Sequence, residues 1–267
     1  MSRAFSRRLL PMHRSLLALP VLAALGAAPL AAGELLVPLT AGTAADGTTY
    51  GTRLWVTNSG GVVRRLTWTF IAAGTDGTRA EPAGSLPVNP GTTVLTRNLI
   101  PAGKNGLLLV SGAPQLHLTP RLEATGRTGG LRAAAAGPLV GGADLAPAGT
   151  TLHLHGLSQK TGGLITDLYL VNAARSPASC TVTALRDTGT RLGSPQPITL
   201  HPLSLRVMEK ALTGFGGTNL DEARFTISCD QPFYAFARVA KPGGAELNVV
   251  TPAPALGSAV DAAARLF

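Results

Sequence analysis

The residue types best able to do chemistry in this chain are two cysteines, a closely spaced histidine pair and two aromatics at one repeated position. Cys180 and Cys229 sit in Cys180-Thr181-Val182-Thr183-Ala184 and Phe225-Thr226-Ile227-Ser228-Cys229. Successive strand side chains point to opposite faces, so both thiols share a face with apolar residues. In an exported chain such a pair is expected to form a disulfide. His153 and His155 lie at i and i+2, on one face of a strand, where a third ligand would complete a metal site. His117 and His201 are distant in sequence. Packed or solvated imidazoles are therefore the simpler reading, and no metal or cofactor is assigned. A metal-dependent enzyme at His153 and His155 is the weakest of the functional alternatives.

Other catalytic patterns are missing. There is no Gly-x-Ser-x-Gly, and neither cysteine has a neighbouring histidine to activate it. Glycoside hydrolysis needs two facing carboxylates, and among 14 acids no pair stands out. No Gly-rich loop occupies a strand-to-helix context. The expectation is a non-enzymatic protein.

The elements that position these residues come twice. Thr52-Arg53-Leu54-Trp55-Val56-Thr57-Asn58 aligns with Thr166-Asp167-Leu168-Tyr169-Leu170-Val171-Asn172 at an offset of 114. Leu66 to Ile71 falls on Cys180 to Leu185 at the same offset, and Leu108 to Ser111 on Phe225 to Ser228 at 117. A repeat of this length fixes architecture ahead of any single residue. Trp55 and Tyr169 share a repeat position. Their neighbours face inward, so both aromatics are expected to face outward, as a candidate surface for a glycan or protein partner.

Each copy reads as short strands at regular spacing. In copy one they are 35–40, 50–58, 64–72, 85–89, 93–99, 106–112 and 115–124. In copy two they are 151–156, 164–172, 179–186, 197–201, 203–209, 223–229 and 232–240. Leu66, Trp68 and Phe70 alternate with Thr67 and Thr69, as in a half-buried strand. Seven strands in about 100 residues is the rhythm of an immunoglobulin-like sandwich. The expected fold is all-β, with two tandem seven-strand sandwiches at 34–125 and 150–252. Cys180 then begins a third strand and Cys229 ends a sixth, antiparallel neighbours in such a sandwich. Residues 126–149, rich in Gly, Ala and Pro, read as a linker. Residues 253–267 read as a tail or short helix.

Residues 1–33 read as a cleavable signal peptide. Arg3, Arg7, Arg8 and Arg14 precede an apolar run from Leu16 to Ala28, and Ala31, Ala32 and Gly33 supply small residues before Glu34. The protein is thus expected to be exported, to the periplasm or the exterior, with no stable membrane span after cleavage. Cleavage lowers the net charge from +9 to +5, because four arginines leave and no acid does. The remaining basic residues are scattered, which argues against nucleic-acid binding.

The Thr166-Asp167-Leu168-Tyr169-Leu170-Val171-Asn172 strand, followed by Cys180-Thr181-Val182-Thr183-Ala184-Leu185, resembles tandem immunoglobulin-like repeats of uncharacterised secreted bacterial proteins. The resemblance implies a sandwich scaffold outside the cytoplasm and carries no activity with it. Copy one departs from it, with Arg53 where copy two has Asp167. The leading expectation is a structural or binding module, engaging an unknown protein or glycan of the envelope or exterior. The alternative is a periplasmic pilus-assembly-type chaperone that donates a strand. It needs two basic residues converging between the domains, with Arg53 and Arg121 as candidates. Pro120 in the expected pairing strand argues against that alternative.

Overall fold

The computed structural model describes residues 30–31, 33–44, 47–96 and 103–252. Nearly all of the expected signal segment, and the tail 253–267, lie outside the described residues.

The first copy comprises β1 (Glu34–Leu39), β2 (Ala41–Thr43), β3 (Thr49–Asn58), β4 (Arg64–Ala72), β5 (Gly84–Val88), β6 (Thr93–Thr96), β7 (Gly106–Ser111), β8 (Leu116–Thr125) and β9 (Leu131–Ala136). The second comprises β10 (Thr151–Gln159), β11 (Ile165–Asn172), β12 (Ala178–Leu185), β13 (Arg191–Leu200), β14 (Ser204–Met208), β15 (Leu220–Cys229), β16 (Phe233–Ala240) and β17 (Leu247–Val250), with a single helical turn α1 (Ala211–Gly214). The protein is an all-β sandwich protein of antiparallel sheets. In copy one, sheet β1-β7-β4-β5 faces sheet β2-β3-β8-β9, with β6 also on β3. In copy two, β10-β15-β12-β13 faces β14-β11-β16-β17. The expected strands recur, most within about three residues of their expected bounds; β13 begins at Arg191 rather than at 197, residues 97–99 of the strand expected at 93–99 lie outside the described residues, and β2, β9 and β17 are added.

The repeat holds in the strand registers. Leu54 opposes Pro120 and Leu168 opposes Ala237. Trp68 opposes Val110 and Val182 opposes Ile227. Each pair maps onto its counterpart at offsets of 114 and 117. The pairings of third strand with sixth and of second with fifth follow the immunoglobulin arrangement. The outer strands do not: the first lies beside the sixth, and the seventh beside the second, whereas the constant-type sheets hold strands A, B, E, D and C, F, G.

Two identities retained between the copies act as clasps. Asn58 and Asn172 are fully buried. Asn172 Nδ2 donates to the Ser176 and His201 carbonyls, and its Oδ1 accepts from Ala174 N, all within 2.9 Å. Asn58 does the same with Val62, Val88 and Gly60. Each asparagine thus ties the turn that follows its own strand to a second, distant segment of the same copy. Thr52 and Thr166 link the second strand to the first: each hydroxyl donates to one carbonyl and accepts from the amide of the same residue, Thr40 or Ser158. Asn172→Ala leaves the buried Ala174 N without its acceptor and takes one donor each from the Ser176 and His201 carbonyls, the latter keeping Ser204 Oγ, so it is expected to destabilise the protein by roughly 2 kcal/mol. Urea unfolding measures this, and a loss below about 1 kcal/mol would remove the clasp from the account.

Each sandwich has its own core. Val37, Leu54, Leu66 and Leu108 fill the first, and Leu154, Leu168, Val182, Phe225 and Phe233 the second. A third cluster joins them. Leu36, Ile71 and Leu107, on the outer face of the β1-β7-β4-β5 sheet, pack against Tyr169, Val171, Leu205 and Phe236 on the outer face of the β14-β11-β16-β17 sheet. A fourth brings Tyr50, Leu122 and Ala124 against Ala240 and Leu247. The long strands β3 and β8 overhang their own sandwich and cover part of the second one.

Backbone contacts reinforce the docking. Gly74 N donates to Leu205 O at 2.8 Å and Gly77 N to Pro202 O at 2.9 Å. A Cβ at residue 77 would lie 2.3 Å from Leu203 O, so this close approach requires glycine.

The segment 126–149, expected as a linker, is built into the structure. Leu131–Ala136 is a strand on β8, and Ala133 and Ala135 pack on the fourth cluster. Small side chains let β9 lie close to β17, despite alanine's low strand preference. Val140 pairs with Leu36 of the first sandwich and Ala146 with Phe233 of the second. The connection is thereby bonded to both halves.

Candidate functional site

Where the sheet face of the second sandwich runs past the first, a cleft of about 520 Å³ opens between β2, Tyr50 and the β11, β14 and β16 strands. Ile165, Val207 and Ala240 supply apolar wall, Asp167 and Arg238 an ion pair, and Glu209 and Lys210 charges at the mouth.

The ion pair follows from the register. Asp167 and Arg238 are direct partners on β11 and β16. Arg238 Nε donates to Asp167 Oδ2 at 3.1 Å, and Nη2 donates to the same oxygen. The backbone amide of Lys210, held in the left-handed region at φ 48°, donates to Asp167 Oδ1 at 2.8 Å. The two side chains are 8% and 14% exposed. The guanidinium carbon lies 4.3 Å from the centroid of the Tyr50 ring, a cation–π contact that ties one sandwich to the other. Burial opposes the charge on Arg238, but nearby Tyr169 and Asp167 outweigh it and hold its pKa above the ordinary value. Burial pushes the Tyr169 phenol well above its usual range, so this group remains a neutral hydroxyl.

The expected disulfide is present. Cys180 and Cys229 are bonded, as direct cross-strand partners on β12 and β15, and face the core of the second sandwich. Tyr169 requires a correction. It does face away from its own core, but it is 1% exposed, stacked on Phe236 at 4.6 Å between centroids. The first sandwich covers it, so it belongs to no open aromatic surface. Trp55 faces outward and is half-buried. Arg53 and Arg121 are brought together, as register partners on β3 and β8. They converge on buried Glu123, with Arg53 Nε 2.6 Å and Arg121 Nε 3.9 Å from its carboxylate, rather than standing as bare cations in the cleft. Their repeat counterparts, Asp167 and Arg238, occupy the cleft. His153 and His155 are exposed on β10 with ring centroids 6.0 Å apart. Among the described residues no group of three metal-binding side chains forms.

Sequence reasoning missed Asp167, Arg238, Tyr50 and Lys210. The Asp167/Arg53 difference between the copies was the available signal, because a carboxylate replaces a cation opposite an arginine in both. A wider pattern accompanies it. On the docked faces, Leu36, Leu107 and Leu109 have His153, Arg224 and Thr226 as counterparts. Val171, Tyr234 and Phe236 have Thr57, His117 and Thr119. The copies are apolar where they meet each other and polar where the equivalent face is free.

Among the described residues no helix is long and apolar enough to cross a membrane. No protein-family profile and no curated protein sequence matches the chain.

Proposed function

We propose that this chain is a non-enzymatic, exported module that binds a protein or glycan component of the cell envelope or exterior, with the cleft between its two sandwiches as the working surface. The cleft itself carries this reading. It is formed by both halves at once, and its ion pair is fixed by the register, by Lys210 N and by the Tyr50 ring. A concave, largely preformed site between units is where ligands are commonly held. Export is supported by the basic and apolar amino terminus and by the disulfide, which persists in oxidising compartments. The strand-donating alternative relied on Arg53 and Arg121 in the cleft, and their engagement with Glu123 supports the binding module over it.

The test is crosslinked capture from the native envelope, comparing wild type with Gly42→Phe. Gly42 lines the cleft, and a Cβ there meets nothing within 4 Å, so the ring fills the cleft without disturbing the fold. The expected result is a reproducible partner that the substitution removes. A partner retained at wild-type level would overturn the cleft as the working surface.

A further inference from the structure

Two open strand edges meet at the cleft. In the β2–β3 hairpin, Ala44 N donates to Thr48 O and Gly42 opposes Tyr50. Antiparallel ladders alternate, so Gly42 and Ala44 direct their backbone groups at β3, and Ala41 and Thr43 direct theirs away from it. Ala41 N follows this rule and donates to Asn105 Oδ1 at 2.7 Å. The Ala41 carbonyl and both backbone groups of Thr43 have no partner among the described residues. On β14, Leu205 O accepts from Gly74 N at 2.8 Å, so Leu205 and, two residues on, Val207 face away from β11. Between these edges the first sandwich supplies its own bridge. Gly74 N meets Leu205 O, Ala73 N donates to Asn105 O at 3.0 Å, and Asn105 Oδ1 takes Ala41 N. The bridge stops there. Thr43 and Val207, one ladder step farther along, line the cleft, whereas Leu205, Ala73 and Gly74 do not.

We propose that the cleft receives an extended peptide segment of a partner protein, which adds as a strand to the free edge of β2 through the Thr43 amide and carbonyl and the Ala41 carbonyl, and lies against Val207 on the opposite wall. The inference rests on the cleft being the working surface, and it makes the partner a protein rather than a glycan. Unpaired N–H and C=O groups at strand spacing are the recognition chemistry of strand addition, in which main-chain hydrogen bonds supply the affinity. Other edges are closed to such pairing by proline, with Pro38 in β1, Pro87 in β5 and Pro195 and Pro197 in β13. β2 is Ala41-Gly42-Thr43 and has none. Charge agrees with a backbone ligand. The charged residues lining the cleft are Asp167, Glu209, Lys210 and Arg238, two acids and two bases, so the lining favours a neutral ligand over an anionic or cationic one. The hairpin holds the edge in place before any ligand arrives, which reduces the ordering cost of binding.

Titration of the whole protein with the capped, uncharged peptide acetyl-Thr-Val-Thr-Val-Thr-amide, followed by amide NMR shifts, tests the assignment. The same peptide with its two valine nitrogens methylated keeps the side chains and loses two ladder donors. The expected result is saturable binding that shifts the Thr43 amide, weakened at least about tenfold by the methylation. Thr43→Pro removes the edge donor, at an exposed position on an edge strand where proline is tolerated, and is expected to weaken binding by about the same factor. Thr43→Ala keeps the N–H and is expected to bind as wild type does. Thermal midpoints close to wild type show that both variants are folded. No saturable binding, equal affinity for the methylated peptide, wild-type affinity in Thr43→Pro, or an equal loss in Thr43→Ala overturns the proposal. The two readings fail separately. If Gly42→Phe removes the captured partner while Thr43→Pro leaves capture intact, strand addition falls and the cleft stands. If Gly42→Phe leaves capture intact, the cleft itself falls.

Discussion

Replacing Cys180 and Cys229 together with alanine is expected to cost the protein about 4 kcal/mol of stability. The bridge spans 49 residues of sequence, and closing a loop of that length removes about that much chain entropy from the unfolded state. The crosslink ties β12 to β15, the central pair of the β10-β15-β12-β13 sheet, and faces the same core as Val182, Phe225 and Ile227. Two small cavities left by the lost sulfurs add to the entropic term. Urea unfolding of the double variant against the oxidised protein measures the difference. The first sandwich has Leu66 and Gly112 at the corresponding positions and folds around aliphatic packing instead. A loss below about 1 kcal/mol would mean that the unfolded chain is already restrained in this region.

Arg238→Met is expected to cost between about 3 and 5 kcal/mol, because it leaves the Asp167 carboxylate buried without its partner. Asp167 keeps the bond from Lys210 N, but one backbone amide does not replace a guanidinium that donates twice. The substitution also removes the cation over Tyr50 and so weakens the contact between the sandwiches. Combining it with Asp167→Leu is expected to recover most of the loss, since no uncompensated charge then remains. A double-mutant cycle on unfolding free energies separates the pair from its surroundings. If the single variant is as stable as wild type, the ion pair is open to water and the cleft is not shaped by it.

Much of the fold was legible because both copies alternate cleanly. Leu66, Trp68 and Phe70 against Thr67 and Thr69 mark one strand, and Cys180, Val182 and Ala184 against Thr181 and Thr183 mark its counterpart. The disulfide followed from the same alternation. Leu131–Ala136 was not legible: a run of alanines between glycines carries little strand preference, and only the packing of Ala133 and Ala135 beneath the second sandwich selects it. For Tyr169 the pattern gave the direction correctly and the environment wrongly. Alternation within one strand says which way a side chain leaves its own sheet, not what covers that face. The missing information lay in the comparison of copies, where Phe236 replaces Thr119 and Leu36 replaces His153. The cleft residues were hidden for a related reason. Tyr50 and Arg238 are 188 positions apart, and only docking brings them together.

The central claim is that the two sandwiches are docked into one unit whose fixed cleft is the working surface, and differential scanning calorimetry of the whole protein tests it most directly. The account predicts one cooperative transition, with calorimetric and van't Hoff enthalpies in agreement, and predicts that Arg238→Met lowers that transition as a whole. Two separable transitions, with Arg238→Met moving only one of them, would contradict it: the sandwiches would then fold independently, and no cleft would be held between them.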